Sequence, residues 1–291
     1  MVVRQPIPFS AFVGGFLRLI RVQNLLIVVL TQFLARIALV GPREQWLQIL
    51  VDPTIWLLSF STVCIAAAGY IINDYFDIKI DLVNKPDRVV IGRYLKRRVA
   101  LVAHQSLNVI GCLIGLYLSR WVFVVDVVSV SLLWFYSANL KRQPVTGNIV
   151  ISLLTALSLI VLAVYYRQNA DMLLIYALFS FGISLVREII KDMQDIRGDA
   201  RFGCRTLPIV WGLRRTKYLL YVLIASFITT LFLIADSLNN WRLEVIFLIL
   251  LVPLTWLTYR LVYADKRSDF GYLSTLCKLI MLMGVLSMIW A

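Results

Sequence analysis

Residues 54–81 read TIWLLSFSTVCIAAAGYIINDYFDIKID: Thr54 to Ile72 carries no charge, and Asn73, Asp74, Asp77 and Asp81 then follow within nine positions. As a helix the uncharged run rises close to the ~30 Å of a bilayer's hydrocarbon. If the helix continues past Ile72, Asn73, Asp77 and Asp81 stand at i, i+4 and i+8, so their oxygens share one face, with Asp74 beside it. The stretch therefore predicts a membrane span that ends in a carboxylate ladder.

The rest of the chain repeats the first half of that pattern. Over 291 residues, 60% are hydrophobic and 15% charged, more apolar matter than one soluble core needs. Nine runs are long enough to cross: Leu19 to Leu39, Thr54 to Ile72, Ala100 to Leu118, Trp121 to Ala138, Asn148 to Tyr166, Met172 to Ile190, Tyr218 to Ala235, Leu243 to Val262, and Tyr272 to Trp290. The N-terminus, MVVRQPIPFSAFVGGF, lacks the long apolar stretch of a removable signal peptide. Cys64, Cys112, Cys204 and Cys277 have no CxxC spacing and read as packing residues.

A net charge of +13 in a soluble protein would suggest nucleic acid, but its placement decides otherwise. Nine spans sort 23 of the 29 Lys and Arg onto the side of the N-terminus, leaving Arg36, Arg43, Arg120, Arg167, Arg242 and Lys278. The positive-inside rule then places the N-terminus in the cytoplasm. Two connections on that side are long, Asn73 to Val99 and Lys191 to Lys217. Asn73, Asp77 and Asp81 lie 118 positions before Lys191, Asp195 and Asp199, which suggests two related halves within a single domain, residues 1–291.

The sixth run ends in VREIIKDMQDIRGD, residues 186–199, where Glu188, Asp192, Asp195 and Asp199 again share a helical face. Carboxylates this dense repel one another near low-dielectric surroundings, and cations relieve the cost. Hard oxygen ligands favour Mg²⁺ or Ca²⁺ over zinc, and Mg²⁺ usually binds through one or two carboxylates together with substrate phosphates. A diphosphate held by both faces fits, with Lys85, Arg88, Lys141, Arg187 and Lys191 on the same side to meet its oxygens. The plainer reading pairs acids at helix ends with neighbouring Lys and Arg, and the isolated Asp52, Asp126, Asp171 and Asp236 suit it. Cation-coupled transport is the other class, but transporters hold such acids near mid-bilayer.

These residues resemble the UbiA-type intramembrane prenyltransferases, whose signatures are NDxxDxxxD and a later DxxxD. Here they stand as Asn73 to Asp81 and Asp195 to Asp199, the second preceded by Lys191 and Asp192, and the likeness extends to Tyr136-Ser137-Ala-Asn-Leu-Lys141, Gly147-Asn148 and Thr206-Leu-Pro208. The resemblance implies an all-α bundle of nine transmembrane helices around a central cavity. It assigns Asn73, Asp74, Asp77, Asp81, Asp192, Asp195 and Asp199 to Mg²⁺, with Asp77, Asp81, Asp195 and Asp199 catalytic, and Arg88, Lys141, Arg187 and Lys191 to the prenyl diphosphate. Asp81-Leu-Val-Asn84-Lys85-Pro86-Asp-Arg88 looks most like the branch that holds digeranylgeranylglyceryl phosphate and chlorophyll synthases. That favours geranylgeranylglyceryl phosphate as lipophilic acceptor over 4-hydroxybenzoate or a quinone precursor. Implied too are a bacterial or archaeal cell membrane, a site facing the cytoplasm, membrane lipid as surroundings and no nucleic-acid partner. Asn24 in the first span and Tyr136 are candidates for the cavity wall, with helix packing the alternative for each; His104, the one histidine, reads as structural.

Overall fold

The computed structural model describes residues 9–84 and 89–291. The described chain runs α1 (Phe9–Leu19), α2 (Val22–Ala35) with a π-helical extension (Arg36–Val40), α3 (Trp46–Val51), α4 (Pro53–Asn84), α5 (Arg97–Leu118) and α6 (Arg120–Ala138). It continues with α7 (Thr146–Tyr166), α8 (Ala170–Arg201), α9 (Leu207–Ser237), α10 (Trp241–Tyr263) and α11 (Arg267–Ser287). Among the described residues, nine helices are long and apolar enough to cross a membrane, and each overlaps one of the nine runs read from the sequence. In a bilayer the backbone must satisfy its own hydrogen bonds, which is why such runs become helices. The chain is an all-α, multi-pass integral membrane protein.

Two differences from the sequence reading bear on the site. The first span begins at Val22, because Arg21 adopts a left-handed φ of +53° and breaks the chain between α1 and α2. Both long connections also begin and end in helix, through Asn84 and from Arg97 in the first, and through Arg201 and from Leu207 in the second. Helices α4 and α8 have 32 residues each, about 48 Å at 1.5 Å per residue, and outrun the hydrocarbon. Their acidic ends are thus final helical turns, and α8 reaches α9 through residues 202–206 alone.

The chain divides into two compact units, Met1–Val29 with Leu57–Ala138, and Leu30–Trp56 with Asn139–Ala291. In the first, small residues let α4 approach its neighbours, Gly69 against Leu133 of α6 and Gly111 of α5 against Ile65. Close packing and interhelical hydrogen bonds do this work in membranes, where apolar burial between helices gains little. Asp126 corrects the sequence reading here. It is 3% exposed, inside α6, and Ser61 Oγ of α4 lies 2.9 Å from its Oδ2. His104 is structural as expected, with Nδ1 3.0 Å from Ala68 O and Asn108 Nδ2 3.2 Å from Nε2. In the second unit α8 packs against α7, α9 and α11, and α10 against α9 and α11.

Candidate active site

In the first unit, Asn73, Asp77 and Asp81 follow one another at single-turn intervals on the last stretch of α4, all half-buried. Asp74 belongs to a different contact. Arg21 Nη2 donates to Asp74 Oδ1 at 2.9 Å, and the same guanidinium lies 4.8 Å from the centre of the Tyr70 ring. Burial works against the charge on Arg21, but Asp74 and Tyr70 hold its guanidinium above its ordinary value, so it remains a cation. Asn24, three residues on, donates Nδ2 to the Tyr70 hydroxyl at 3.4 Å. The left-handed break at Arg21 thereby turns the start of α2 onto the ladder. Beyond the ladder, Val90, Ile91 and Leu95 are buried with Leu19 and Ile71, around a turn in which Gly92 takes φ +92°. Lys85 and Arg88 lie outside the described residues.

In the second unit the acids of α8 are ordered by fixed partners. Asn148 Nδ2, in the first turn of α7, donates to Asp192 Oδ2 at 2.8 Å. Glu188 is 6% exposed and collects two cations, Arg187 Nη1 at 2.7 Å on Oε1 and Lys191 Nζ at 2.8 Å on Oε2. Two of the four cations that the resemblance assigns to the diphosphate are therefore held in place by one carboxylate. Arg267 Nη2 stands 3.8 Å from Asp195 Oδ1. Asp199 sits where α8 stops: its main-chain oxygen accepts from Cys204 N at 2.9 Å, Gly203 N donates to Ala200 O at 3.3 Å, and Gly203 takes φ +72°. That is a Schellman cap, which needs a residue free of a Cβ penalty.

The turn before α7 places Asn148. Thr146 N donates to Pro144 O at 2.8 Å around Val145 at φ 69°, ψ −47°, a γ-turn that is rare and strained for a β-branched residue. A Cβ at Gly147 would stand 2.8 Å from Lys141 Cα, so glycine lets the Lys141 turn press onto α7. Tyr136 is half-buried in the last turn of α6.

Among the described residues no three His, Cys, Asp or Glu side chains converge closely enough to hold a metal by themselves. The donors on both ladders are hard oxygens, which suit an ion that takes one or two carboxylates and completes its shell with water and phosphate oxygens. Such a donor set fits Mg²⁺ arriving with a diphosphate.

Each unit thus carries a set of carboxylates at the end of a membrane-length helix, with cations fixed beside it. The chain matches the model of the UbiA prenyltransferase family over residues 22–280 and belongs to that family. It is a membrane prenyltransferase. It is 34% identical over 213 residues to the digeranylgeranylglyceryl phosphate synthase of Methanothermobacter thermautotrophicus, covering 72% of each chain. With the synthase of Sulfurisphaera tokodaii it shares 27% over 223 residues, 76% of this chain and 78% of that one. The solved digeranylgeranylglyceryl phosphate synthase structure shares its fold at a TM-score of 0.74 and 24% identity, over 96% of this chain and 97% of that one. A UbiA homologue from Archaeoglobus fulgidus, bound to GPP and Mg²⁺, aligns at 0.67 and 15% over 95% of this chain and all of that one.

Sequence reading gave Arg21 only a topological role, since its partner stands 53 positions away and no local pattern joins them. For Asn148 the available signal was an amide opening an otherwise apolar run. Asn148→Ala leaves Asp192 without its orienting donor, and turnover is expected to fall about 10- to 100-fold, as for outer-shell partners of metal ligands. Initial rates against Mg²⁺ concentration check this: the half-saturating Mg²⁺ should rise, and an unchanged value would limit Asn148 to packing.

Proposed function

We propose that the chain transfers a geranylgeranyl group from geranylgeranyl diphosphate to geranylgeranylglyceryl phosphate, with Mg²⁺ as cofactor. The observation that carries this reading is the ordered acid set on α8, in a chain whose 34%-identical relative is a digeranylgeranylglyceryl phosphate synthase. Asn73, Asp74, Asp77 and Asp81 on α4, and Asp192, Asp195 and Asp199 on α8, would hold Mg²⁺, with Asp77, Asp81, Asp195 and Asp199 carrying the largest share. Bound there, Mg²⁺ offsets the charge that develops on the departing diphosphate.

The chain's own residues do the rest. Arg187 and Lys191, preset by Glu188, and Lys141, pressed against Gly147, supply cationic donors to diphosphate oxygens, and Arg88 joins them. Asn148 keeps Asp192 in one orientation. The allylic C–O bond breaks with its electron pair leaving on the diphosphate, the acceptor hydroxyl oxygen bonds to the prenyl carbon, and the hydroxyl proton passes to the released diphosphate. Apolar span walls keep water from intercepting the allylic cation, and Asn24 and Tyr136 are assigned to the acceptor side. The excess of Lys and Arg beside the N-terminus supports a cytoplasmic N-terminus and cytoplasmic ladders, in a bacterial or archaeal cell membrane. Residues 1–291 act as one catalytic domain.

A competition assay tests the acceptor. Membranes holding the chain receive radiolabelled geranylgeranyl diphosphate with equimolar geranylgeranylglyceryl phosphate, 4-hydroxybenzoate and dihydroxynaphthoate. Label is expected in the glycerophosphate lipid, and predominant labelling of an aromatic product would overturn the assignment.

A further inference from the structure

Where α10 begins and α11 ends, a groove of about 710 Å³ opens between the two helices, within the size range of ligand sites. Ile246, Ile249 and Leu250 of α10 and Met283 and Leu286 of α11 make its floor. Polar groups gather at one end only, where Arg43, Arg242, Trp241 and Trp290 form the rim. The Tyr176 hydroxyl lies 3.2 Å from Ser287 Oγ, which places the rim beside the first turns of α8. Asp192 stands sixteen residues further along α8, about 24 Å away. The groove is thus separate from the second ladder.

The rim is built and charged. Arg43 donates from Nε to Ala38 O at 3.3 Å, from Nη1 to Ile289 O at 3.0 Å and from Nη2 to Ala291 O at 2.9 Å. Those bonds use three of a guanidinium's five N–H groups and fix it over the groove. Arg242 is exposed and packs its guanidinium 5.9 Å from the Trp241 ring. Glu244 shares the first turn of α10 but does not line the groove. Tryptophans beside cations mark the level at which a bilayer's hydrocarbon gives way to headgroups, and a guanidinium at that level is a natural partner for a phosphate oxygen.

We propose that this groove binds one bilayer lipid with an anionic phosphate headgroup, its acyl chain along the α10–α11 floor and its phosphate against Arg242 and Arg43. An apolar floor with charge at a single end matches an amphiphile, whereas a small soluble anion would leave the floor bare. The occupant is a lipid of the surrounding membrane, distinct from the prenyl donor and acceptor.

Native mass spectrometry and thermal unfolding of the purified full chain in detergent, with added phosphatidylglycerol, phosphatidylcholine or glycerol phosphate, test this. One phosphatidylglycerol should stay bound and raise Tm by on the order of 5 °C near saturation, with phosphatidylcholine ~10-fold weaker and glycerol phosphate without effect. Arg242→Gln, at an exposed position, should erase the preference between the two lipids. Val245→Trp, which fills the groove, should abolish retention of both, and prenyl transfer by both variants should stay at the wild-type rate. Equal binding of the two lipids by wild type, binding of glycerol phosphate as tight as that of the lipid, or lipid retention unchanged in Val245→Trp would each overturn the proposal. So would a dimer that Val245→Trp splits, which would make the groove a contact between copies.

Discussion

With the ladders holding Mg²⁺ as proposed, Asp195→Asn and Asp77→Asn are each expected to lower prenyl transfer by about 10³-fold, with the helices still assembled. Asparagine keeps the side chain's size and one oxygen but removes the negative charge that a hard cation requires. Metal stabilisation of a departing phosphate oxygen is worth several kcal/mol, and about 4 kcal/mol corresponds to that loss at 1.36 kcal/mol per factor of ten. The fold should tolerate both changes, because the two side chains are half-buried on final helical turns rather than packed in a core. Initial rates at saturating donor, read beside the thermal unfolding midpoint, check the expectation. Turnover near wild type in a folded variant would remove that carboxylate from the metal site. Asn148→Ala should lose less, since Asn148 orients Asp192 and is not itself among the proposed ligands.

Gly284→Ala and Gly182→Ala destabilise the second unit by about 1–3 kcal/mol each, the usual cost of overpacking. A Cβ at Gly284 of α11 would run into the Phe179 ring of α8, and a Cβ at Gly182 of α8 into the Phe227 ring of α9. The two rings are themselves in contact, with centroids 5.7 Å apart, so neither can swing clear without pressing on the other. The double variant should therefore cost more than the two single costs added together, because each ring's escape route is the other's place. Thermal or denaturant unfolding in detergent measures this. Single variants that match wild type would mean that the rings have room the packing does not suggest.

Hydrophobicity alone made the nine spans legible, since a bilayer demands long uncharged runs and the sequence supplies them. Both ladders were legible as well, because their acids recur at helical spacing and nothing between Asn73 and Asn84 breaks a helix. Features that depend on tertiary partners were hidden. The break at Arg21 reflects a bond to a residue on another helix, and the strained turn at Val145 exists to seat α7 against the Lys141 turn. Asp126 looked like an isolated surface acid because its partner, Ser61, is 65 positions away. Glu188 stood on the ladder in the sequence, yet its role in fixing Arg187 and Lys191 follows only from its burial. Part of what looked like long loops was helix, because length of connection was judged by where apolarity ends, and α4 and α8 continue beyond that point.

The most direct measurement follows the purified chain, reconstituted in lipid, with radiolabelled geranylgeranyl diphosphate and geranylgeranylglyceryl phosphate while Mg²⁺ is removed and restored. Labelled digeranylgeranylglyceryl phosphate that disappears with EDTA and returns on adding excess Mg²⁺ is the predicted result. Product formed undiminished in excess EDTA, or no product at any Mg²⁺ concentration, would contradict the assignment of these ladders to a metal-held prenyl diphosphate.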